Sequence, residues 1–439
     1  MTGGPIRIIA YILIVTLPVW LATWLGEEAE GILTDIGRNL ALMGVMILAL
    51  QFLLAARVKW VERAFGFDIL IRFHKLIALI AAGFLVLHPV LLALGGHGWH
   101  LLIGLDQPWF IWVGKAGLIL VIGTVLVGLY QGKLGLKFET WRLGHDILTP
   151  VILLLIFFHS WYTGDDLELL PMQFLWIILL VASLSLFIHH RLLRPKRLRQ
   201  QPYRVQEVRR ETEDVWTVTL APPQGQSIGD YLPGQFHFLT FFRDPALPVE
   251  EHHWTISSSP TQKESITSTI KAVGDFTSSM DKTRKGDTAA VHGPFGRFSY
   301  LLHPGERDLV FLAGGIGITP LMSMLRHMRD TRDTRKVTLL YANRHEDQII
   351  FRQELETITA GDHPDLTLTH VLSRPSDAWE GETGHLDGNM IEKYCGRDLS
   401  GKSFYICGPS KLAQGLISAL RGMGVPDSAI RREIFSFLD

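Results

Sequence analysis

The chain has 439 residues, with 42 Lys and Arg against 43 Asp and Glu, and this balanced charge gives no case for a nucleic-acid partner. Its length fits two to three domains, but the apolar residues are unevenly placed. Residues 6–190 are dominated by Leu, Ile, Val, Ala, Phe and Trp, whereas the composition from about residue 191 onward is that of a chain in water.

Six apolar runs of spanning length occupy 6–25, 38–56, 70–94, 109–130, 144–163 and 171–190. The first is read as a retained span rather than a signal peptide, because it is long and five more follow it. Arg7, then Arg57, Lys59 and Arg63, then Lys133 and Lys137, then Arg191, Arg194, Lys196, Arg197 and Arg199 all fall on one side of the resulting topology. Glu27, Glu28, Glu30, Asp106, Asp165, Asp166 and Glu168 fall on the other. The excess of Lys and Arg marks the cytoplasmic side, so both termini are expected there and the chain is expected in the inner (plasma) membrane as a multi-pass protein. The third and fifth spans then run in the same direction.

Those two spans carry the strongest chemical signal. His74 and His88 are fourteen residues apart, and so are His145 and His159. On an α-helix fourteen residues rise about 21 Å and return to within roughly 40° of the starting direction, so each pair projects from one face. Ionisable side chains inside a membrane are costly and usually functional. With the spans side by side, His74 and His145 would share an inner level and His88 and His159 an outer one, the geometry of two bis-histidine haems. A closed zinc site is disfavoured because its ligands must converge on one point. His97, His100, His189 and His190 lie at segment ends and read as solvated or interfacial. Arg38, near the outer end of the second span, is expected to pair with an outer-haem propionate or to attract an anionic acceptor.

The basic stretch with Pro195, residues 193–202, reads as a linker following a membrane domain at 1–192, and it could touch anionic lipid headgroups. From 203 to 303 the pattern changes to short β-type runs, such as 215–220 and 235–241, separated by Pro and Gly turns, which fits a small antiparallel barrel. Within it, the run His252, His253, Trp254, Thr255 sets an aromatic plane beside a hydroxyl, suited to a flavin face and edge. The run Lys271 to Thr277, with Gly274, is a glycine turn ending in a hydroxyl, suited to a pyrophosphate held by backbone N–H groups. From 304 to 439 the order becomes strand, glycine turn, helix. The strand 308–313 leads into Gly314, Gly315, Gly317, Thr319 and Pro320 and then a helix, where unpaired N–H groups favour a phosphate. Strands at 337–341, 366–372 and 403–406 extend a parallel α/β sheet, which predicts a nucleotide in the crevice beyond the strand C-termini. The only cysteines, Cys395 and Cys407, lie in this half, where a structural disulfide is unexpected.

Taken together, these residues resemble the ferric reductase and NADPH oxidase superfamily along nearly the whole chain: a six-helix transmembrane haem bundle, an antiparallel β-barrel FAD domain and an α/β, Rossmann-like nicotinamide domain. The resemblance implies FAD, two b-type haems and NADPH as cofactors. His252 to Thr255 is similar to that family's His-Pro-Phe-Thr flavin motif, with His253 and Trp254 in place of Pro and Phe. It implies that His252, Gly274 and Thr277 hold the FAD pyrophosphate, with Thr255 near the flavin edge. Gly314 to Pro320 is similar to its dinucleotide loop, and Cys407, Gly408 and Pro409 to the motif that sets a cysteine beside the nicotinamide. Glu433 to Phe437 resembles the family's tail, which implies Phe437, or else Phe435, as an aromatic lid over the flavin. Arg344, Ser373 and Arg374 resemble positions that hold a 2′-phosphate, which favours NADPH, with NADH the alternative. The activity so implied passes electrons from cytoplasmic NADPH through FAD and two haems to an acceptor on the outer side, foremost O₂ to give superoxide. A ferric chelate or a periplasmic redox protein is the alternative acceptor.

Overall fold

The structure is a computed structural model that describes residues 3–25 and 31–433. Glu27, Glu28 and Glu30 of the charge pattern, and Phe435 and Phe437 of the tail, lie outside the described residues. The chain divides into two compact units, Met1–Arg194 and Pro195–Asp439.

The first unit is built on helices α1 (Gly3–Leu25), α2 (Ile32–Ala55), α3 (Phe67–Leu92), α4 (Trp109–Tyr130), α5 (Phe138–Thr163) and α6 (Leu170–Ile188). Among the described residues these six are long and apolar enough to cross a membrane. Their outward faces expose large apolar side chains such as Leu76, Ile119, Phe174 and Ile178, an arrangement that lipid stabilises and water does not. The interior is packed by Leu42, Val45, Leu85, Val121, Ile152, Ile156 and Trp176. Helices α2 and α3 approach closely because Gly37 and Gly44 face α3: a Cβ on Gly44 would lie 2.9 Å from Leu85, and one on Gly37 3.1 Å from Leu91.

Two helix ends depart from the sequence reading. A wide turn, Ala93–His97, follows α3 and breaks at Gly96, which adopts φ +126°. Residues 193–202, expected as a linker, are largely helical: a π turn, His189–Leu193, runs into a helix Arg194–Gln200. Proline removes one intrahelical N–H and crowds the carbonyl four residues back, and the π turn just before Pro195 is the kind of insertion that absorbs such a break.

The second unit contains two sheets. Strands β1 (Tyr203–Thr212), β2 (Val215–Ala221), β3 (Phe236–Phe242), β4 (Glu251–Thr255), β5 (Ile266–Lys271) and β6 (Thr288–Phe295) pair antiparallel in the order β4-β3-β6-β1-β2-β5. Both edges meet where Ile256 bridges Ser268, and the sheet closes into a barrel over Val218, Leu220, Leu239, Phe241 and Ile270. Strands β7 (Asp308–Gly314), β8 (Lys336–Asn343), β9 (Asp365–Leu372), β10 (Glu382–Thr383), β11 (Lys402–Cys407) and β12 (Ile430–Glu433) form a parallel sheet in the order β10-β9-β8-β7-β11-β12.

Alternation along β7 decides which helices cover it. Leu309, Phe311 and Ala313 pack under α7 (Ile318–Asp330) and α8 (Arg352–Thr359), while Val310 and Leu312 pack under α9 (Gly388–Cys395) and α10 (Ser410–Gly422). Strand β7 is followed across the sheet by β8 on one side and by β11 on the other, so the order reverses there. Crevices beyond the carboxyl ends of strands at such a switch point are where open α/β sheets take ligands.

Candidate functional site

In the first unit the long helices bring one histidine of each fourteen-residue pair together. The rings of His74 on α3 and His145 on α5 lie 6.3 Å apart, centre to centre. With a metal–imidazole bond of about 2 Å, two rings gripping one metal stand about 6 Å apart, so the pair fits an ion between them. His74 Nδ1 is buried with no hydrogen-bond partner among the described residues. His145 lies 5.5 Å from the Trp141 ring, and its Nδ1 is 3.9 Å from Asp146, a carboxylate that Arg191 holds at 2.5 Å.

The other two histidines are fixed differently. His88 Nδ1 lies 3.0 Å from the carbonyl oxygen of Gly37 on α2, and His159 Nδ1 lies 2.9 Å from that of Phe110 on α4. A carbonyl can only accept, so both rings donate from Nδ1, and each Nε2 carries a free lone pair. Such an outer-sphere contact is what fixes the tautomer and orientation of a ligating imidazole. Gly114 makes room for the His159 ring, into which a Cβ at that position would run. Between the two levels Leu85, Ile152 and Ile156 fill the bundle.

Arg38 is differently placed from the expectation. Its guanidinium is 3.4 Å from Asp35 and 3.5 Å from the buried Asp166, so carboxylates within the protein already answer its charge. The imidazole levels are assembled without it.

In the barrel, strand β4 presents His252 and Trp254 on one face, their rings 5.7 Å apart. His252 stacks at 4.4 Å on Phe276, and its Nε2 lies 2.9 Å from Glu250. Phe276 belongs to the glycine turn, so the strand and the turn adjoin. There the Thr277 hydroxyl accepts from the N–H groups of Val273 and Gly274, both at 2.8 Å, and donates to the Gly274 carbonyl. Two backbone donors thus converge on one oxygen, the arrangement by which a main chain holds an anion. The Trp254 indole is packed against the barrel core, and its buried Nε1 has no partner among the described residues. Thr255 is buried on the opposite face of the strand, while Lys271 pairs with Asp214 at 3.3 Å. His237, buried against Ser268 at 2.6 Å, has its pKa pushed down to about 3 by burial and is neutral.

At the end of β7, Gly315 adopts φ +53°, a left-handed conformation that glycine takes without strain. Gly314 and Gly317 serve close packing: a Cβ on Gly314 would strike Pro409 and Leu412, at the turn from β11 into α10, and one on Gly317 the Cys407 carbonyl at the end of β11. The loops after β7 and β11 therefore lie against each other, Cys407 being in register with Ala313. Thr319 and Pro320 are buried in the first turn of α7, the Thr319 hydroxyl bonded to the Ile316 carbonyl at 3.0 Å. Cys407 is fully buried; burial first, and then the charge of Glu433 at the end of β12, push its thiol well above the usual range. It stays a neutral, apolar group, not a thiolate nucleophile.

Arg344 and Arg374 follow neighbouring parallel strands, joined where the Arg374 N–H donates to the Arg344 carbonyl at 2.8 Å; Ser373 N–H donates to Asn343 at 3.1 Å. Both guanidinium groups are exposed, and among the described residues neither has a carboxylate within ion-pair distance. Sequence reasoning passed over Gly37, Gly114 and Phe110, which seat His88 and His159, and Glu250, which holds His252. The glycines left a trace as small residues in neighbouring spans; a carbonyl partner leaves none.

Two family models match the chain. One, the ferric reductase like transmembrane component, matches residues 40–156, and the other, the oxidoreductase NAD-binding domain, matches residues 311–417. An NADH–cytochrome b5 reductase 1 of Arabidopsis thaliana is 36% identical over 143 residues, 32% of this chain and 50% of that protein. A glycine betaine monooxygenase reductase subunit of Pseudomonas aeruginosa is 33% identical over 235 residues, 52% of this chain and 62% of that protein. The chain thus spans about half to two thirds of the length of these relatives. The crystal structure of a flavohaemoglobin from Malassezia yamatoensis is alike in fold, at a TM-score of 0.50 and 16% identity, covering 96% of this chain and 98% of that one.

Proposed function

We propose that this chain, an oxidoreductase in which a ferric-reductase-like transmembrane domain is joined to an FAD-type antiparallel barrel and a parallel-sheet NAD-binding domain, carries electrons from NADPH across a membrane to an acceptor on the far side. The observation that carries the reading is the meeting of His74 and His145 at 6.3 Å in a bundle whose outer surface suits lipid.

Each residue set has its part. The crevice beyond β7 and β11 takes the dinucleotide, its pyrophosphate against the Gly314 to Gly317 loop and Gly408. Arg344 and Arg374, with Ser373 between their strands, take the 2′-phosphate; guanidinium forks bind phosphate more tightly than a ribose hydroxyl, which favours NADPH over NADH. His252 and the Gly274 to Thr277 turn hold the FAD pyrophosphate, and Trp254 and Thr255 border the flavin ring. Glu433, in register with Cys407 on the neighbouring strand, borders the same crevice. His74 and His145 ligate an inner b-type haem, His88 and His159 an outer one. When bound, flavin takes two electrons as hydride and releases them singly, and haem passes them one at a time. Held by His74 and His145 and by His88 and His159, the haems would offer an acceptor no ligand position, so it would be reduced without binding the iron.

Oxygen, reduced to superoxide, is the acceptor we favour, and the reductase unit stands at the cytoplasmic face of the plasma membrane with both termini. The match of residues 40–156 to the ferric reductase like component favours a ferric chelate as the second reading. The test is anaerobic addition of NADPH to the purified protein with the haem absorbance followed, then air with a superoxide probe, or a ferric chelate without air. Haem reduction followed by superoxide supports the first reading. Reoxidation in air without superoxide, together with rapid chelate reduction, moves the acceptor to ferric iron. Haem that NADPH leaves oxidised sinks both.

A further inference from the structure

Helix α7 begins at the dinucleotide loop and carries Ser323, Arg326 and Asp330 on one face, at spacings of three and four. All three bind the segment that leaves β4 just after Thr255. The buried Ser323 hydroxyl donates to the Ser258 carbonyl at 2.7 Å. Arg326, only 8% exposed, donates from Nη1 to the Ser257 carbonyl at 2.6 Å. Asp330 accepts from Thr261 at 2.6 Å. The rest of the Arg326 fork is held by Glu354 of α8, at 2.9 and 2.6 Å, and its guanidinium lies 4.7 Å over the Phe351 ring.

The segment so gripped is itself rigid. Ser257, Ser258 and Ser259 are buried, and the Ser258 hydroxyl is bonded to Tyr231 at 3.0 Å and to the Thr267 N–H at 3.1 Å. Arg326 sits about 12 Å along the helix from the loop that would seat the nicotinamide nucleotide, and the Ser257 carbonyl it holds is two residues beyond Thr255, the hydroxyl that would border the flavin. A buried guanidinium that gives its donors to a fixed carboxylate and a fixed carbonyl cannot shift without losing charged hydrogen bonds.

We infer that Arg326, seconded by Ser323, is a positioning residue for hydride transfer: it locks the helix bearing the dinucleotide loop to the strand end bearing the flavin edge, and so sets their separation. The inference rests on the NAD(P)H-to-flavin reading above. Hydride transfer is steep in distance, and a misplacement of about 1 Å from a change remote from the chemistry can cost 100-fold, so a loosened seam should lower the rate of the step while leaving binding intact.

The experiment is anaerobic stopped-flow reduction of the flavin in the full-length protein, at varied NADPH and with NADPH deuterated at the transferred position. Arg326→Lys keeps the charge and loses the fork, so the limiting rate should fall about tenfold or more, with half-saturation within about twofold, flavin content unchanged and the deuterium effect enlarged. Ser323→Ala, a small change in case the first variant folds poorly, should lower it about threefold in the same pattern. Limiting rates and isotope effects equal to wild type in Ser323→Ala and in any flavin-loaded Arg326→Lys overturn the inference, as does a fall that only tracks lost flavin. If the wild-type flavin is reduced by neither NADPH nor NADH, the underlying reading fails instead.

Discussion

His74 and His145 meet across a gap because two long side chains reach into it, whereas Gly314 and Gly317 let two loops touch because they have no side chain at all. The membrane unit places its candidate chemistry on imidazoles at four points of two helices. The reductase unit places it on backbone at strand ends, where packing fixes the N–H groups and any added carbon intrudes. The contrast follows from the solvent each unit meets: in lipid a helix must satisfy its own backbone, so only side chains are left to bind, while a strand end in water has backbone to spare. Deletion should therefore be the damaging change in the first unit and addition in the second.

The largest effect is expected from deletion in the membrane unit. His145→Leu or His74→Leu should remove one of two haem signals, leave the other, and stop electron transfer to any outer acceptor. Pyridine haemochrome content that stays at the wild-type level would break the contrast at its first term. Addition in the reductase unit comes next. Gly317→Ala drives a methyl into the Cys407 carbonyl, and overpacking of this kind costs about 1–3 kcal/mol. NADPH-driven flavin reduction should drop by about 10-fold to 100-fold with haem content unchanged, as seen by stopped-flow absorbance.

How much of this was legible follows the same division. The fourteen-residue spacing of the histidines could be read because a ligand between helices imposes the helical period on the sequence. The glycines of 314–317 could be read because close approach allows little else. Backbone partners could not: nothing in the identity of Phe110 says that its carbonyl faces His159, and nothing in Gly37 says that it faces His88. Pro195 among basic residues read as a linker, and a π turn followed by a helix makes that stretch largely helical. Arg38 looked like an outer cation open to an anion because its buried partner Asp166 is 128 positions away, although Asp35, three residues before it on the helix, was a local partner in view. The burial of Cys407 follows from β11 being flanked by β7 and β12 in the sheet, which the order of strands along the chain does not reveal.

A sharper probe tests addition where deletion should matter more. Gly114→Ala puts a methyl against the His159 ring, so the outer haem should be lost in part while the inner signal stays, a smaller effect than His159→Leu. Equal loss of both signals would show that the two levels are not independently seated. The smallest effect is expected at the exposed arginines. Arg374→Ala or Arg344→Ala should raise the KM for NADPH about tenfold and leave that for NADH within about twofold, since a charged hydrogen bond contributes about 1.5–3 kcal/mol and exposure to water screens part of it. Equal changes for both nucleotides would remove the 2′-phosphate role.

The most direct measurement is the haem-to-flavin ratio of the purified full-length protein, with low-temperature spectra of the iron. Two haems per FAD, both low-spin with two imidazole ligands, is the expected result. A ratio of one or less in fully loaded protein, or high-spin iron with an open position, would contradict the paired-imidazole path on which the account depends.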